Sequence, residues 1–226
     1  MHQHDTPGHD ASGPDTSGPD SAETETEAFW DDMYRGRDQV WSGNPNHWLV
    51  DLAEDLTPGS ALDLGCGEGA DSIWLANNGW TVTAIDVSPT ALERTRLHAT
   101  DAGVTARIEI EHHDLSDTFP AGAFDLVSAQ FLQSPLDFPR GDVLRRAASA
   151  VAPGGALIIV SHAEFPPGAH DREPAVQLPT ATEEVDVLEL GGDWTVEVCD
   201  KRERVASRDG TPMTLFDNVV LVRRVS

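Results

Sequence analysis

A strand-like run followed at once by three glycines on alternate positions is the first feature of this sequence that could take part in chemistry. The segment ALDLGCGEGAD covers Ala61–Asp71, and its glycines are Gly65, Gly67 and Gly69. Glycine loses more backbone freedom on folding than any other residue, so either the turn is too tight for a Cβ atom or a ligand comes within contact distance of the backbone. A helix that begins after the glycines would add partial positive charge at its N-terminus.

Polar side chains follow the next strand-like runs, where a ligand on that loop would need partners. Asp86 ends the second run in the segment TAIDVSP, and a carboxylate there can accept hydrogen bonds from both hydroxyls of a ribose. Asp114 follows the third run in HHDLSD, and Gln130 and Phe131 end the fourth, FDLVSAQFL. Each has a structural alternative, since the two aspartates could cap loops and Phe131 could belong to the core.

The glycine pattern alone does not identify the ligand. Gly65, Gly67 and Ala70 also satisfy the dinucleotide-binding pattern GxGxxG/A. A nicotinamide-dependent reductase is therefore one alternative. Against it, the sequence has no Tyr-x-x-x-Lys pair, because Tyr34 is its only tyrosine.

An alternation of strands and helices would bring these residues to one edge of a sheet. Apolar runs predict strands at Ala61–Leu64, Thr81–Ile85, Ile108–Glu111, Phe124–Ala129 and Ala156–His162. Helical patterns lie between several of them, near 70–78, 89–102 and 141–151. The PGG at 153–155 is expected to end the last helix before the fifth strand. This order predicts an α/β fold with a parallel sheet covered on both faces.

The C-terminal part of the chain has a different pattern. The runs WTVEVCDKRERV and NVVLVRRV are both strand-like, and no helical pattern lies between them. They predict an antiparallel pair that closes one edge of the sheet.

The first 27 residues differ in composition from the rest of the chain. Residues 1–27 contain no lysine, arginine, aromatic or β-branched aliphatic side chain, and the motif SGPD occurs in them twice. Such a segment cannot bury enough apolar surface to offset its chain entropy, so we expect a disordered acidic tail. His2, His4 and His9 could form only a weak metal site there, and we expect no metal in this protein.

Ordered structure is expected from Ala28 onward, as one domain of residues 28–226. Four side chains share one helical stripe near its start: Phe29, Trp30, Met33 and Tyr34. A loop, RDQVWSGNPN, follows, and HWLVDLAEDL then shows a second helical spacing.

The charge of the chain argues against one class of partner. The formal net charge is −24 at pH 7, with 15 lysines and arginines against 39 aspartates and glutamates. DNA and RNA bind to clustered basic side chains, and the sequence has no such cluster, so we expect no nucleic-acid partner. Two cysteines are too few for a disulfide scaffold, and no run of about 18 apolar residues occurs. We therefore expect a cytoplasmic protein without a secretory signal or a membrane span.

In this order the motifs resemble the class I S-adenosylmethionine-dependent methyltransferases. The likeness is carried by DLGCGEG, IDVS, DL at 114–115, FDLV and LRRAASAVAPGGALIIV, and it covers roughly residues 28–226. The segment from Phe29 to Gly69 further resembles the small tellurite-resistance and thiopurine (thiol) methyltransferase group. The resemblance implies a Rossmann-like, doubly wound, seven-stranded sheet, mostly parallel with an antiparallel C-terminal strand. It also implies S-adenosylmethionine as cofactor and S-adenosylhomocysteine as product.

The resemblance assigns one group of residues to the methionine end of the cofactor. Asp63 should orient the glycine loop and the cofactor's amino group, and Gly65, Cys66 and Gly67 should run along the methionine portion. Trp41 should lie over it, in an N-terminal helical lid region of residues 28–58. Cys66 stands at an ordinary motif position and is interpreted as a small apolar filler.

A second group is implied at the adenosine end. Asp86 should hold the ribose, with Val87 packed on the adenine. Asp114 should accept a hydrogen bond from the adenine amino group, with Leu115 on the other face of the ring. Gln130 should meet the methionine end.

The methyl acceptor should bind beside a Pro-rich insert at 161–192. His162 follows directly from a strand end and is the best candidate for a general base, with a structural hydrogen-bonding histidine as the alternative. His170 and Arg172 are weaker candidates. Methyl transfer from a sulfonium depends mainly on alignment, and it needs a base only when the acceptor carries a proton.

The acceptor is expected to be a small nucleophile: a thiol, a chalcogen oxyanion or a heterocycle. The segment AQFLQSP lacks the Asn/Asp-Pro-Pro-aromatic signature of amino-methylating DNA enzymes. A non-catalytic domain that binds the cofactor for regulation is a further alternative. We expect a monomer or a weak homodimer.

Overall fold

The computed structural model of the chain describes residues 24–165, 178–208 and 211–225. Their helices are α1 (Glu25–Arg35), α2 (His47–Ala53), α3 (Ala70–Asn77), α4 (Pro89–Asp101), α5 (Arg140–Ser149) and α6 (Ala181–Asp186). Their strands are β1 (Ser60–Leu64), β2 (Thr81–Asp86), β3 (Ile108–His112), β4 (Phe124–Gln130), β5 (Val151–His162), β6 (Trp194–Arg208) and β7 (Thr211–Arg224). Most bounds agree with the sequence-based expectations to within one or two residues.

The strands of the described residues form one seven-stranded sheet in the order β3-β2-β1-β4-β5-β7-β6. The pairs from β3 to β5 are parallel, whereas β7 lies antiparallel between β5 and β6. The predicted fold class and the antiparallel C-terminal pair are both confirmed. The order reverses between β1 and β4, and in such sheets ligands bind beyond the carboxyl ends of the strands at this point.

Alternate residues of the central strands supply the core on the two faces of the sheet. Ala61 of β1 and Leu126 of β4 pack on the face covered by α2, α3 and α4, and Leu62 and Val127 pack on the face covered by α5 and α6. All four are fully buried. Burial on both faces explains why these strands are apolar throughout rather than at every second position. Each full burial of a leucine or valine side chain contributes about 1.5–3 kcal/mol.

The first helix begins earlier than expected, and it buries an acid next to the predicted stripe. Thr24 caps α1 by accepting a hydrogen bond from the Glu27 amide, so helix precedes the expected start at Ala28. Of the predicted stripe, Tyr34 is buried and Phe29 is 40% exposed, and Asp31 is fully buried beside it. Asp31 accepts hydrogen bonds from the Ser88 hydroxyl and the Thr90 amide, which attaches α1 to the N-terminus of α4.

The fifth strand also begins earlier than expected. Helix α5 ends at Ser149, and β5 begins at Val151, so the PGG at 153–155 lies inside the strand. A register shift between Phe124 and Leu126 of the neighbouring strand accommodates it.

Some predictions lie outside the described residues. These are the tail residues 1–23 with His2, His4 and His9, and residues 166–177 of the insert with His170 and Arg172. Among the described residues, no helix combines the length and the apolar character needed to cross a bilayer.

Candidate active site

The three glycines make a turn that brings bare backbone to the carboxyl end of β1. Gly65, Gly67 and Gly69 all have positive φ, at 69°, 56° and 84°. A Cβ atom on Gly69 would lie 2.6 Å from the Thr95 side chain, and one on Gly67 would lie 2.9 Å from the Tyr34 hydroxyl. The first explanation expected from the sequence therefore holds at both positions, because Gly69 closes against α4 and Gly67 is covered by the N-terminal segment, so neither leaves room for a Cβ atom.

Asp86 holds the glycine loop in place. One carboxylate oxygen accepts from the Gly67 amide at 2.9 Å, and the other accepts from the Ser88 amide at 2.9 Å. Burial raises the pKa of Asp86, while donation from Ser88 and Gly67 opposes that rise. The Cys66 amide donates to the Ile85 carbonyl at 2.8 Å, which joins the loop to the end of β2.

Two acids lie behind and beside the loop, of which Asp63 is buried and Asp71 is half-buried. Asp63 accepts from the Ser72 hydroxyl at 2.6 Å, and Asp71 accepts from the Asn46 amide at 2.6 Å. Burial, followed by the charge of Asp71, raises the pKa of Asp63 to about 7, and burial raises the pKa of Asp71 to about 6. A cation bound beside these acids would favour their charged forms.

Glu68 fastens the predicted lid region to the glycine loop. It is 4% exposed, and it accepts from the Trp41 amide at 2.9 Å, from the Val40 amide at 3.2 Å and from the Arg94 guanidinium at 2.7 Å. Arg94 also donates to the Tyr34 carbonyl at 2.8 Å. Burial alone would raise the pKa of Glu68, but these donors hold it below its ordinary value.

Glu68→Gln should loosen the lid region without removing a large side chain. An amide cannot accept from all three donors, so we expect a loss of roughly 1–3 kcal/mol of stability, the scale for hydrogen bonds to a charged group. Brief trypsin digestion should then cut after Arg37 faster than in the wild type. Glu93→Gln, at an exposed ion pair of α4, is the matched control. An unchanged rate at Arg37 would show that Glu68 does not hold this segment.

A cavity of about 1170 Å³ opens at the reversal point of the sheet. Eight of the predicted site residues line it: Trp41, Gly65, Cys66, Asp86, Val87, Leu115, Gln130 and His162. Asp63 and Gly67 lie directly behind this wall, where Asp63 bonds to Ser72 and Gly67 bonds to Asp86. Trp41 is 53% exposed, and its indole N–H donates to the Tyr34 hydroxyl at 2.9 Å.

Asp114 is not among the residues that line the cavity. Its carboxylate accepts from the Ser116 amide at 2.9 Å and from the Thr24 hydroxyl at 2.9 Å. Its neighbours His113 and Leu115 do line the cavity. These contacts agree with the loop-cap alternative for Asp114.

Cys66 has the features of an apolar filler. Burial raises the pKa of the Cys66 thiol well above its ordinary value, with the Asp86 and Asp63 carboxylates adding to the rise. A thiol that stays protonated is a poor nucleophile.

Aromatic and charged side chains surround His162 at the other end of the cavity. Its ring stacks on Phe131 with centroids 4.4 Å apart, and its Nδ1 lies 3.7 Å from a carboxylate oxygen of Asp217. Asp217 is fully buried and also accepts from the Trp48 indole N–H and from Arg204. Burial alone would raise the pKa of Asp217, but the nearby His162 imidazole and the hydrogen bonds from Arg204 and Trp48 hold it below its ordinary value.

Three of these residues were not expected from the sequence. Glu68 had a weak signal, as the charged residue inside the glycine motif, and Asp71 follows the motif at the start of α3. The sequence signal for Asp217 was weaker still, because a single acid beside an apolar run such as FDNVVLV is common at strand ends.

Known proteins with similar sequences are methyltransferases. A family model described as a methyltransferase domain matches residues 61–155. The chain is 30% identical over 177 residues to 2-heptyl-1-hydroxyquinolin-4(1H)-one methyltransferase of Mycobacteroides abscessus. The aligned region covers 75% of this chain and 74% of that protein. It is 33% identical over 108 residues to ubiquinone biosynthesis O-methyltransferase of Bordetella avium, of which it spans 44%.

Solved structures share the fold over most of the chain. A structure concerned with the conversion of a disulfide bond into a thioacetal group during echinomycin biosynthesis has a TM-score of 0.69 and 26% identity, covering 88% of this chain and 93% of that one. TehB from Haemophilus influenzae has a TM-score of 0.64 and 17% identity, and the match covers 87% of this chain and 67% of that one. N-methyltransferase NodS from Bradyrhizobium japonicum, in complex with S-adenosyl-L-homocysteine, has a TM-score of 0.66 and 18% identity. The match covers 90% of this chain and 100% of that one.

Proposed function

Because the chain belongs to the class I S-adenosylmethionine-dependent methyltransferases, we propose that it methylates a heteroatom on a small, flat, aromatic molecule. S-Adenosylmethionine supplies an electrophilic methyl group on a sulfonium. The single observation behind the aromatic acceptor is the stacked pair of His162 and Phe131, which lines the cavity. His162 ends β5 and Phe131 follows β4, whereas Val87 follows β2 on the other side of β1.

The residues at the glycine loop fit the methionine end of this cofactor. Gly65 and Cys66 line the cavity, and a Cβ atom on Gly65 or Gly67 would lie 2.9 Å from the Leu132 side chain or the Tyr34 hydroxyl. Asp63 and Asp71 supply negative charge for the ammonium and sulfonium groups, and Trp41 covers the loop. Because Gln130 Oε1 is buried and lacks a hydrogen-bond partner within the described residues, a donor from the cofactor would satisfy it.

The other residues of the cavity wall fit the adenosine end. Asp86 would accept from the ribose hydroxyls while it holds Gly67, and Val87 and Leu115 would pack on the adenine. Asp114, next to Leu115, would reach the adenine amino group only by exchanging its contact with Thr24.

His162 is proposed as the general base for the acceptor. Its side chain is 39% exposed, and it lines the cavity. Hydrogen bonds of catalytic groups are often long before a substrate binds, so the 3.7 Å to Asp217 fits this role. A histidine base at such a site typically contributes about 100- to 10,000-fold to the rate.

The relatives support a hydroxyl-type acceptor over the alternatives. The Mycobacteroides protein is described as acting on a 1-hydroxyquinolone, and the Bordetella protein as an O-methyltransferase. A sulfur acceptor has support from the structure connected with thioacetal formation. A nicotinamide-dependent reductase and a non-catalytic regulatory domain are not favoured. The cytoplasmic location, the lack of a nucleic-acid partner and the monomeric or weakly dimeric state stay predictions.

An acceptor panel tests this proposal. Purified protein is incubated with methyl-labelled S-adenosylmethionine and with four acceptor classes: hydroxylated aromatics including 2-heptyl-1-hydroxyquinolin-4(1H)-one, aromatic thiols, N-heterocycles and tellurite. We expect methylation of one or more hydroxylated aromatics. Turnover of tellurite alone, or none in the presence of tight S-adenosylhomocysteine binding, would contradict the proposal.

The two acids beside the glycine loop, Asp63 and Asp71, should make cofactor binding depend on pH. With a pKa of about 7, Asp63 is mostly charged at pH 8 and mostly neutral at pH 5.5. Binding of the cationic cofactor favours the charged form, so affinity for S-adenosylmethionine should fall as the pH is lowered, on the order of 10-fold across this range. Titration calorimetry measures it. 5′-Methylthioadenosine has neither cationic group and should bind with nearly constant affinity; an equal loss for both ligands would refute the assignment.

A further inference from the structure

We infer that Asp217 is the positioning residue that fixes the tautomer of His162, and that the methyl acceptor therefore enters the site with a proton on its nucleophilic atom. The inference rests on the proposed function. It adds a second residue to the acceptor site, and it narrows the acceptor to a neutral aromatic hydroxyl or N-hydroxyl.

The strand register brings the two residues together. In the antiparallel pair of β5 and β7, His162 and Asp217 are direct partners, so their side chains lie on the same face of the sheet. Nδ1 of His162 lies 3.7 Å from Oδ1 of Asp217. Strand pairing therefore brings the two side chains to the same place on the sheet.

The hydrogen bonds of Asp217 leave one oxygen available for His162. Oδ2 accepts from the Trp48 indole N–H at 3.1 Å and from Nε of Arg204. Oδ1 is buried and has no hydrogen-bond partner among the residues that the structure describes. A buried acceptor without a donor costs about 1–3 kcal/mol, and a small rotation of the imidazole would bring Nδ1–H to it.

The loop after β4 holds the imidazole against this oxygen. Phe131 stacks on the ring of His162, and the Gln133 side-chain oxygen accepts from the His162 amide at 3.0 Å. Phe131 has a φ of +52°, a backbone conformation that residues other than glycine adopt only at a cost in free energy. Such strain persists where the surroundings require a particular side-chain position, and it is often found at functional sites. The Arg204 guanidinium lies 5.5 Å from the Phe131 ring centroid.

This arrangement determines which ring nitrogen can accept a proton. With Nδ1–H directed at Asp217, the lone pair is on Nε2, which makes no hydrogen bond within the described part of the chain and belongs to a side chain that lines the cavity. In the reaction, the acceptor O–H bond breaks and its proton goes to Nε2. The O–CH₃ bond forms as the methyl–sulfur bond breaks, and Asp217 stabilises the resulting imidazolium.

The same arrangement selects among the acceptor classes. A thiolate or an oxyanion has already lost its proton and needs no base. A hydroxyl that is protonated at neutral pH does need one. The buried acid beside the histidine is therefore useful for a hydroxyl and not for an ionised nucleophile.

Histidine tautomers can be measured without any acceptor. The full-length protein is labelled with ¹⁵N, and long-range ¹H–¹⁵N spectra of its imidazoles are recorded near pH 8, with His162 assigned from the H162N variant. We expect the Nδ1–H form for His162 in the wild type, and a shift towards the Nε2–H form in Asp217→Asn. An Nε2–H form in the wild type, or an unchanged tautomer in the variant, would overturn the inference.

Two controls keep this result specific. Asp200→Asn removes an exposed acid of the neighbouring strand that pairs with Arg202, and it should leave the tautomer of His162 unchanged. If Asp217→Asn does not fold, the tautomer of His162 is measured in the wild type and in Trp48→Phe. Both should show the Nδ1–H form, and an Nε2–H form in the wild type would still overturn the inference.

Kinetics provide a readout that a purely structural role would not change. For an aromatic hydroxyl, Asp217→Asn should lower kcat by about 10- to 1,000-fold with KM changed by less than about 3-fold. For an aromatic thiol that is ionised at the assay pH, kcat should change by less than about 3-fold. Equal losses for both acceptors would overturn the inference. No turnover of any acceptor, with the expected tautomer present, would count against the proposed function alone.

Discussion

Turnover of a hydroxylated aromatic acceptor should fall by about 100- to 10,000-fold when His162 is replaced by asparagine, the range that a general base contributes. Asparagine is the informative replacement, because its side-chain amide can take the place of Nδ1–H and still donate to Asp217. It has no nitrogen in the place of Nε2. The variant therefore removes the proton acceptor and leaves the buried acid with a partner.

The measurement is kcat at saturating S-adenosylmethionine, with titration calorimetry of S-adenosylhomocysteine alongside it. Cofactor affinity should stay within about 2-fold, since His162 is placed at the acceptor end. Loss of the stack on Phe131 should cost about 0.5–1.5 kcal/mol of stability, which thermal unfolding measures. His47→Asn, at an exposed histidine that also lines the cavity, should retain activity. A fall in kcat of less than about 5-fold in the His162 variant would show that no base acts from this position.

Replacement of Asp86 by alanine should weaken S-adenosylhomocysteine binding by about 10- to 100-fold, equivalent to roughly 1–3 kcal/mol for a lost charged hydrogen-bond partner. Two effects combine. The ribose hydroxyls lose their proposed acceptor, and the Gly67 and Ser88 amides lose the carboxylate to which they donate. Asp101→Ala removes an exposed acid from the end of α4 and is the control for the change in charge.

A pair of ligands separates these two effects. Adenosine has both ribose hydroxyls, whereas 2′,3′-dideoxyadenosine has neither, so the difference in their affinities isolates the hydroxyl contacts. In the wild type adenosine should bind more tightly, and in Asp86→Ala the difference should nearly vanish. An undiminished preference for adenosine would place the ribose on another residue.

The repeated pattern of apolar runs and glycine turns was sufficient to predict the parallel part of the sheet. A buried parallel strand must be apolar on both faces, so Leu62 and Val127 mark their strands without any knowledge of neighbours. The glycine turn is also a local property, because positive φ at Gly67 and Gly69 is a demand on the backbone that few other residues meet. The helices that begin at Ala70 and Pro89 were predicted at those positions, because the residues that start a helix are also read from the local sequence.

The misplaced boundaries have a physical cause in tertiary contacts. Asp31, which the sequence did not single out, is buried because it accepts hydrogen bonds from Ser88 and Thr90 at the start of α4, and these contacts hold α1 there. The PGG was expected to precede the fifth strand, but pairing between Val151 and Phe124 continues the strand through it.

The sequence by itself determined the order of strands and helices, the glycine turn and the acid at the end of β2, because each depends on neighbouring residues in the chain. Only the tertiary structure decided that Glu68 fastens the lid region and that Asp217 faces His162. Those contacts join residues 27 and 55 positions apart or more, and they arise from strand order and antiparallel register. Nothing in the local pattern around either acid specifies its partner.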